Sequence, residues 1–183
     1  MFVSLIQKRR SIRKFQKRSV EAEKIDILIE AALRAPSSMG RNPWEFIVVS
    51  DPELLGQLST AKAHGSTFLS NARVGIVVCA DPEKSDVWIE DASIAAIFLQ
   101  LTAESLGLAS CWIQMRERMH DDTKTAGEYV AATLDIPEKL QVECIVAVGY
   151  PDEEKPPHEK EELQYDKVSL NRYGKPYENF SSN

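Results

Sequence analysis

The residues best suited to chemistry stand near the start of the chain: Arg9, Arg10, Ser11 and Arg13, within the run Arg9-Arg10-Ser11-Ile12-Arg13-Lys14-Phe15. A phosphate monoester carries nearly two negative charges, and a guanidinium meets its oxygens in pairs, each charge-assisted bond contributing about 1.5–3 kcal/mol. Two or three arginines suffice to anchor one. The same residues also read as a complement to the C-terminal end of a preceding helix followed by a solvated basic face, or as an arm for nucleic acid. The rest of the chain weighs against the last reading. Of 183 residues, 28 are acidic and 22 basic, a formal charge of -6, whereas duplex affinity is dominated by attraction to phosphate. The first twenty residues contain no Asp or Glu and hold seven of the 22 basic residues, so any anion site is expected to begin there.

Other familiar chemistries lack their residues. The eight glycines are dispersed singly, so neither GxGxxG nor a Walker A loop is present. Ser37 and Ser38 lack the GxSxG elbow. His64, His120 and His158 stand in unrelated contexts, and Cys79, Cys111 and Cys144 form no CxxC pair, so no metal site is expected and the thiols read as buried and reduced.

The elements that must position the basic cluster follow from periodicity. Phe2, Leu5 and Ile6 recur at helical spacing, predicting a short helix that ends near Arg9. Ser19 can cap a second helix whose stripe is Ile25, Leu28, Ile29 and Ala32, stopping by Ala35 because Pro36 follows. Residues 36–43 are a loop and 44–50 a strand, after which Asp51 and Pro52 look like the cap and first position of another helix. A strand over 73–80 precedes the longest helix, 85–106, whose apolar segment 94–101 implies burial on several sides. That segment is far short of the roughly 20 residues a bilayer span requires. No basic leader with a long apolar core is visible either, so a cytoplasmic protein is expected. A strand over 109–115, a helix over 121–134 and a strand over 140–148, with Val142, Cys144, Val146 and Val148 alternating onto one face, complete the pattern. Residues 152–162 are charged enough to lie solvated on the surface, and the tail that recovers aromatic character from Tyr165 reads as a docking segment. These are about four strands interleaved with helices in one layered domain, 1–183, with 165–183 as its docking tail.

A second motif, Ala35-Pro36-Ser37-Ser38-Met39-Gly40-Arg41-Asn42-Pro43-Trp44-Glu45-Phe46, runs from helix through loop into strand. Taken with the basic cluster in order and spacing, it resembles the flavin-dependent nitroreductase family, whose members carry an RRSxRxF start and a PSSxxxxPW segment. The likeness continues through Ala103-Glu104-Ser105-Leu106-Gly107-Leu108, Ser110-Cys111-Trp112-Ile113, Val146-Ala147-Val148-Gly149-Tyr150-Pro151 and Arg172. It spans nearly the whole chain.

The resemblance implies an α+β fold, a three-layer α/β/α sandwich around a central, mostly antiparallel sheet of about four to five strands. It implies a homodimer with flavin mononucleotide (FMN) at the interface. Arg9, Arg10, Ser11 and Arg172 would hold the phosphate, and Arg13 would sit by the pyrimidine edge of the ring, where a reduced flavin gathers negative charge that a fixed cation stabilises. Pro36, Ser37, Ser38 and Asn42 would reach the ring from the other subunit, and backbone groups of about Ile113 and Gln114 would lie near the hydride-carrying nitrogen. The activity implied is transfer of hydride from NAD(P)H through the flavin to a nitroaromatic, quinone or similar acceptor, the nicotinamide leaving before the acceptor enters, with no side chain acting as nucleophile. Alternatives on the same fold are enoate reduction, dehalogenation, or flavin storage or sensing without turnover. The chain departs from the commoner pattern at Met39, Gly40 and Asn42, which implies fewer side-chain contacts to the flavin, and at Met115, which implies either a narrower pocket or an alignment shifted by one residue in that strand.

Overall fold

The structure, a computed structural model, describes residues 2–177. Its elements in chain order are α1 (Phe2–Lys8), α2 (Ala22–Leu33), β1 (Trp44–Val49), α3 (Pro52–Ser59), β2 (Val74–Ala80), α4 (Trp88–Ser105), β3 (Ala109–Gln114), α5 (Ala126–Thr133) and β4 (Gln141–Gly149). The strands form one antiparallel sheet in the order β1-β2-β4-β3. β2 and β4 are central and almost wholly buried, which is why they read as unbroken apolar runs.

Both faces of the sheet are covered, giving the three-layer α+β arrangement. On one face Val77, Ile113, Ile145 and Ala147 pack with Leu55 and Leu58 of α3 and with Ala126 and Val130 of α5. On the other, Ile76, Val78, Val146 and Val148 pack with Leu28 and Ala32 of α2 and with Ala92, Ala96, Leu99 and Ala103 of α4. Gly75 belongs at a close approach: a Cβ there would meet the Leu55 side chain at 3.1 Å.

Several local expectations change. Ser19 does not cap α2; Glu21 occupies the cap position, and its carboxylate accepts from the Tyr150 hydroxyl (2.7 Å) and Arg18 (2.7 Å) rather than from the helix. The helix expected from 121 begins at Ala126. Asp121 Oδ1 accepts from the N–H groups of Thr123 (2.7 Å) and Lys124 (2.8 Å), closing a turn, and Thr125 with Glu128 then forms a reciprocal capping box. In β4 the alternation breaks, because Val78 pairs with Cys144 while the next residue of β2, Cys79, pairs with Val142. Glu143 is the additional residue of a β-bulge. Val142 therefore joins the α3/α5 side, while Cys144, Val146 and Val148 stay on the α2/α4 side. The long helix α4 buries only part of its girth within one protomer: Ile94, Ile97 and Phe98 remain 36–38% exposed. The tail lies open as far as Tyr177, with Tyr165, Val168 and Tyr173 exposed, and the remainder of the expected docking tail, 178–183, lies outside the described residues.

Candidate active site

The basic cluster is laid against the edge of the sheet by backbone contacts. The N–H of Ile12 donates to the Ser110 carbonyl (3.2 Å), making a parallel bridge between Ser11 and Ser110, and Phe15 bridges Pro151 beyond the end of β4. Ile12 and Phe15 are buried anchors, so the residues between and before them are presented outwards. Gly149 lets this happen: a Cβ there would stand 3.0 Å from the Phe15 ring, so the Phe of the first motif seats on the glycine of the Gly-Tyr-Pro turn.

β3 is an edge strand, and the phase of its ladder decides which of its backbone groups are unpaired. Met115 N–H donates inwards to the Glu143 carbonyl (3.1 Å), and Ile113 and Cys111, two and four residues earlier, share that phase. Even-numbered residues point the other way, as the Ser110 carbonyl shows by accepting from Ile12. Trp112 and Gln114 therefore turn their N–H and C=O groups to the open edge, just past the point where Ser11 and Ile12 lie alongside. Of the two backbone positions expected to face the flavin, Gln114 has this outward aspect and Ile113 is committed to β4.

The Gln114 side chain is occupied. Its carboxamide oxygen accepts from Trp112 Nε1 (2.9 Å), and its nitrogen donates to the Arg116 carbonyl (3.1 Å) and to Glu143 Oε1 (3.2 Å). Glu143 is 3% exposed, and burial pushes its carboxyl above the usual range while Gln114 and Arg116 pull it back. Arg116 Nε lies 3.2 Å from Glu143 Oε2, a contact of opposite charges without an aligned hydrogen bond. What Gln114 has left to offer is its backbone N–H.

Cations gather beside that edge. Arg13 Nη1 (3.5 Å) and Lys155 Nζ (2.7 Å) both reach the Ser11 carbonyl, beside the bridge to Ser110; burial raises the neighbouring Cys111 thiol, and the charges of Arg13, Lys155 and Arg9 oppose that shift. Arg13 stacks its guanidinium 5.8 Å from the centre of the Phe68 ring, and neither Arg9 nor Arg13 is ion-paired among the described residues. Lys155 Nζ donates to the Ser11 carbonyl (2.7 Å) and lies 3.3 Å from Glu153, whose carboxylate in turn accepts from the N–H groups of Arg13 (2.5 Å) and Lys14 (3.2 Å). Arg10 donates to the Pro156 carbonyl. The segment after β4 is exposed, as expected, except at Glu153 and Lys155, and these two tie it to the first motif. Glu153 and Lys155 were missed because a charged, proline-bearing stretch carries no periodicity. Arg172 is not brought to this cluster within the protomer: its side chain is exposed and its described contacts are backbone bonds in the 170–175 turn.

The second motif lies elsewhere. Ser37 Oγ donates to Asn42 Oδ1 (2.7 Å) and accepts from Asn42 N–H (2.9 Å), closing the loop on itself. Ser38 N–H donates to Asp91 in the first turn of α4 (2.8 Å), and Pro36 is exposed at the loop's entrance. Met39 (φ 52°) and Asn42 (φ 47°) are left-handed without being glycine, and Met39 is 85% exposed. The hydroxyl of Ser37 is used in building the loop, which leaves Asn42 Nδ2 and Ser38 Oγ as its outward polar groups.

The two motifs flank opposite ends of α4. The Pro-Ser-Ser loop is fastened at Asp91, whereas Arg9 acts on Glu104, near the other end, where its charge counters the burial that raises that carboxyl. At ~1.5 Å of rise per residue, the thirteen residues from Asp91 to Glu104 separate them by about 20 Å. Between them lies the exposed ridge of Ile94, Ile97 and Phe98.

This is the architecture of the nitroreductase fold: a four-stranded antiparallel sheet between helical layers, with a basic N-terminal arm on its edge. The model of the Nitroreductase family matches residues 6–67 and 56–150. An FMN-dependent nitroreductase structure from Clostridium difficile superposes with a TM-score of 0.92 at 52% identity, covering 93% of this chain and 99% of that one. A protein of Archaeoglobus fulgidus, provisionally described as an NADH dehydrogenase/NAD(P)H nitroreductase, is 40% identical over 157 residues, 84% of this chain and 87% of its own. An iodotyrosine deiodinase of Thermotoga neapolitana is 28% identical over 178 residues, 89% of this chain and 95% of its own. The chain belongs to the nitroreductase family and is an oxidoreductase of that type. No helix among the described residues is long and apolar enough to cross a membrane.

Proposed function

We propose that the whole chain forms one FMN-binding unit that works as a homodimer, passing hydride from NAD(P)H to a nitroaromatic, quinone or similar small acceptor. The observation that carries this reading is the placement of Arg13 and Lys155 at the Ser11 carbonyl (3.5 and 2.7 Å), where Ser11 bridges Ser110 on the edge strand whose Gln114 backbone faces outwards. The donor set fits the cofactor. Guanidinium and hydroxyl groups at Arg9, Arg10 and Ser11 suit a phosphate, Arg13 supplies a fixed positive charge for the pyrimidine edge, and Gln114 offers one rigid N–H. When bound, FMN supplies the two-electron chemistry, taking hydride from the nicotinamide and yielding it to the acceptor. The protein positions, holds charge and limits access.

The separation of the two motifs argues for the dimer. One protomer cannot bring both ends of α4 to one ligand, but a two-fold axis pairing the α4 ridges antiparallel sets the loop of one protomer beside the basic cluster of its partner. The same pairing would cover Ile94, Ile97 and Phe98. Arg172 would reach a phosphate only in such an assembly. The similarity to an iodotyrosine deiodinase supports a second reading, reductive dehalogenation by the same site.

The test is direct. The purified protein is expected to be yellow, to release FMN on denaturation, and to be reduced by NADH or NADPH and reoxidised by a nitroaromatic or quinone. Reoxidation only by a halogenated phenol would favour the second reading. A bound flavin that neither nicotinamide reduces would rule out the reductase.

A further inference from the structure

The Pro-Ser-Ser loop is held in a conformation that its own residues disfavour. Met39 sits in the left-handed region, where such a residue costs about 1–2 kcal/mol, and is almost fully solvated, so packing does not repay it; Asn42 is left-handed too, as the non-glycine side chain that tolerates this best. The bonds between Ser37 and Asn42 close the loop but do not say where it points.

Its direction is set by Asp91. This carboxylate is 2% exposed and has no ion-pair partner among the described residues. One oxygen accepts from Ser38 N–H (2.8 Å) and the other from Ser85 Oγ (2.9 Å), itself 1% exposed. Burying an unpaired carboxylate is expensive, and two neutral donors with a place in the first turn of α4 offset only part of that. Global stability is therefore a poor explanation for Asp91. What it does is join two loops, 36–43 and 81–85, to the start of the helix whose exposed ridge follows within one turn at Ile94.

We infer that Asp91 is a positioning residue for the FMN site: by holding Ser38 N–H and Ser85 Oγ at the start of α4, it fixes the direction in which Ser38 Oγ and Asn42 Nδ2 are presented across the subunit boundary. The inference rests on the flavoprotein reading for the ligand's identity, though not for the clamp itself. It needs hydrogen-bond acceptors and not a net charge, since an asparagine can accept from Ser38 N–H and donate to Ser85 Oγ once that hydroxyl turns.

The experiment compares wild type, Asp91→Asn and Asp91→Ala in two readouts: FMN titration, with the circular dichroism of the bound flavin, and the rate of tryptic cleavage after Arg41 in flavin-free protein. Asp91→Asn is expected to match wild type in both. Asp91→Ala is expected to bind FMN about tenfold or more weakly, to alter the flavin dichroism, and to be cut faster at Arg41. If Asp91→Ala does not fold, Ser85→Ala removes one of the two bonds and is expected to show the same changes at about threefold. Unchanged affinity and dichroism in the alanine variants overturn the positioning role, as do equal losses in Asp91→Asn and Asp91→Ala. Failure of wild type to take up FMN, with Arg41 still cut faster in Asp91→Ala, would overturn the flavoprotein reading and leave the clamp standing.

Discussion

The two ends of α4 secure their motifs by opposite means. Beside its C-terminal end, residues 9–15 are laid along the sheet by main-chain bridges at Ser110 and Pro151 and pinned by buried Ile12 and Phe15, so Arg9 and Arg13 are passengers on a backbone that does not depend on them. At its N-terminal end, residues 36–43 are shaped by side chains: Ser37 with Asn42, and Asp91 with Ser38 and Ser85. The first region is built so that its charges can be removed without moving it. The second cannot lose its polar side chains without changing shape.

The comparison breaks most completely if the two ends never meet. Phe98→Asp places a carboxylate on the exposed ridge between them, and the expected result is a folded monomer by sedimentation that retains little or no flavin. Retention of flavin by such a monomer would show that one protomer suffices. Arg9→Ala comes next: FMN affinity should fall about 10–100-fold for one lost charge-assisted contact, with the melting temperature nearly unchanged. Arg13→Ala should lower the flavin's reduction potential more than its retention, measured by reductive titration against a reference dye. Met39→Gly sharpens the contrast from the other side, because relieving one left-handed residue should raise stability by about 0.5–1 kcal/mol in denaturant unfolding. A loss of stability there would mean that the side chain packs on something.

The smallest effect concerns the anchorage that follows the basic cluster. The Tyr150 hydroxyl, Glu21's own backbone N–H and Arg18 hold the Glu21 carboxyl down at about 2. A lowered folded value stabilises above the ordinary value of 4.5 and loses that contribution as pH falls from 4.5 towards 2. Tyr150→Phe should therefore lower stability slightly at neutral pH, flatten the acid limb between 4.5 and about 2, and leave stability below that range unchanged.

Much of this was legible in the sequence where one local interaction dominates. Asp51 and Pro52 begin α3 as cap and first residue, with Asp51 accepting from Glu53 and Leu54, and the central strands announce themselves through unbroken apolar runs. Sequence reasoning failed where a distant partner intervened. At Glu21 the carboxylate is engaged by Tyr150, from just past β4; Glu153 and Lys155 join the basic cluster only because residues 150–152 run antiparallel beside residues 14–16. Within the site, Arg13 and Gln114 lie at the edge of β3 that Ser11 and Ile12 flank. The outward aspect of Gln114 over Ile113 depends on ladder phase, and the anchoring of the loop by Asp91 on a contact 53 residues away. Neither leaves a trace in spacing.

The bulge at Glu143 has a consequence for how the chain tolerates change in length. Upstream of it β4 shows Val142 to the α3/α5 layer, and downstream Cys144, Val146 and Val148 face α2 and α4. Deleting Glu143 would straighten the strand and leave every side chain in its layer, because Val142 and Cys144 already face opposite sides as adjacent residues of a regular strand do. The Glu143 carbonyl would vanish, however, and with it the single acceptor that takes both Met115 N–H and Arg116 N–H just past the end of β3 at the outward-facing Gln114. An irregularity of one residue thus serves the edge strand more than the core, since what it supplies is the acceptor that receives the chain as it leaves β3.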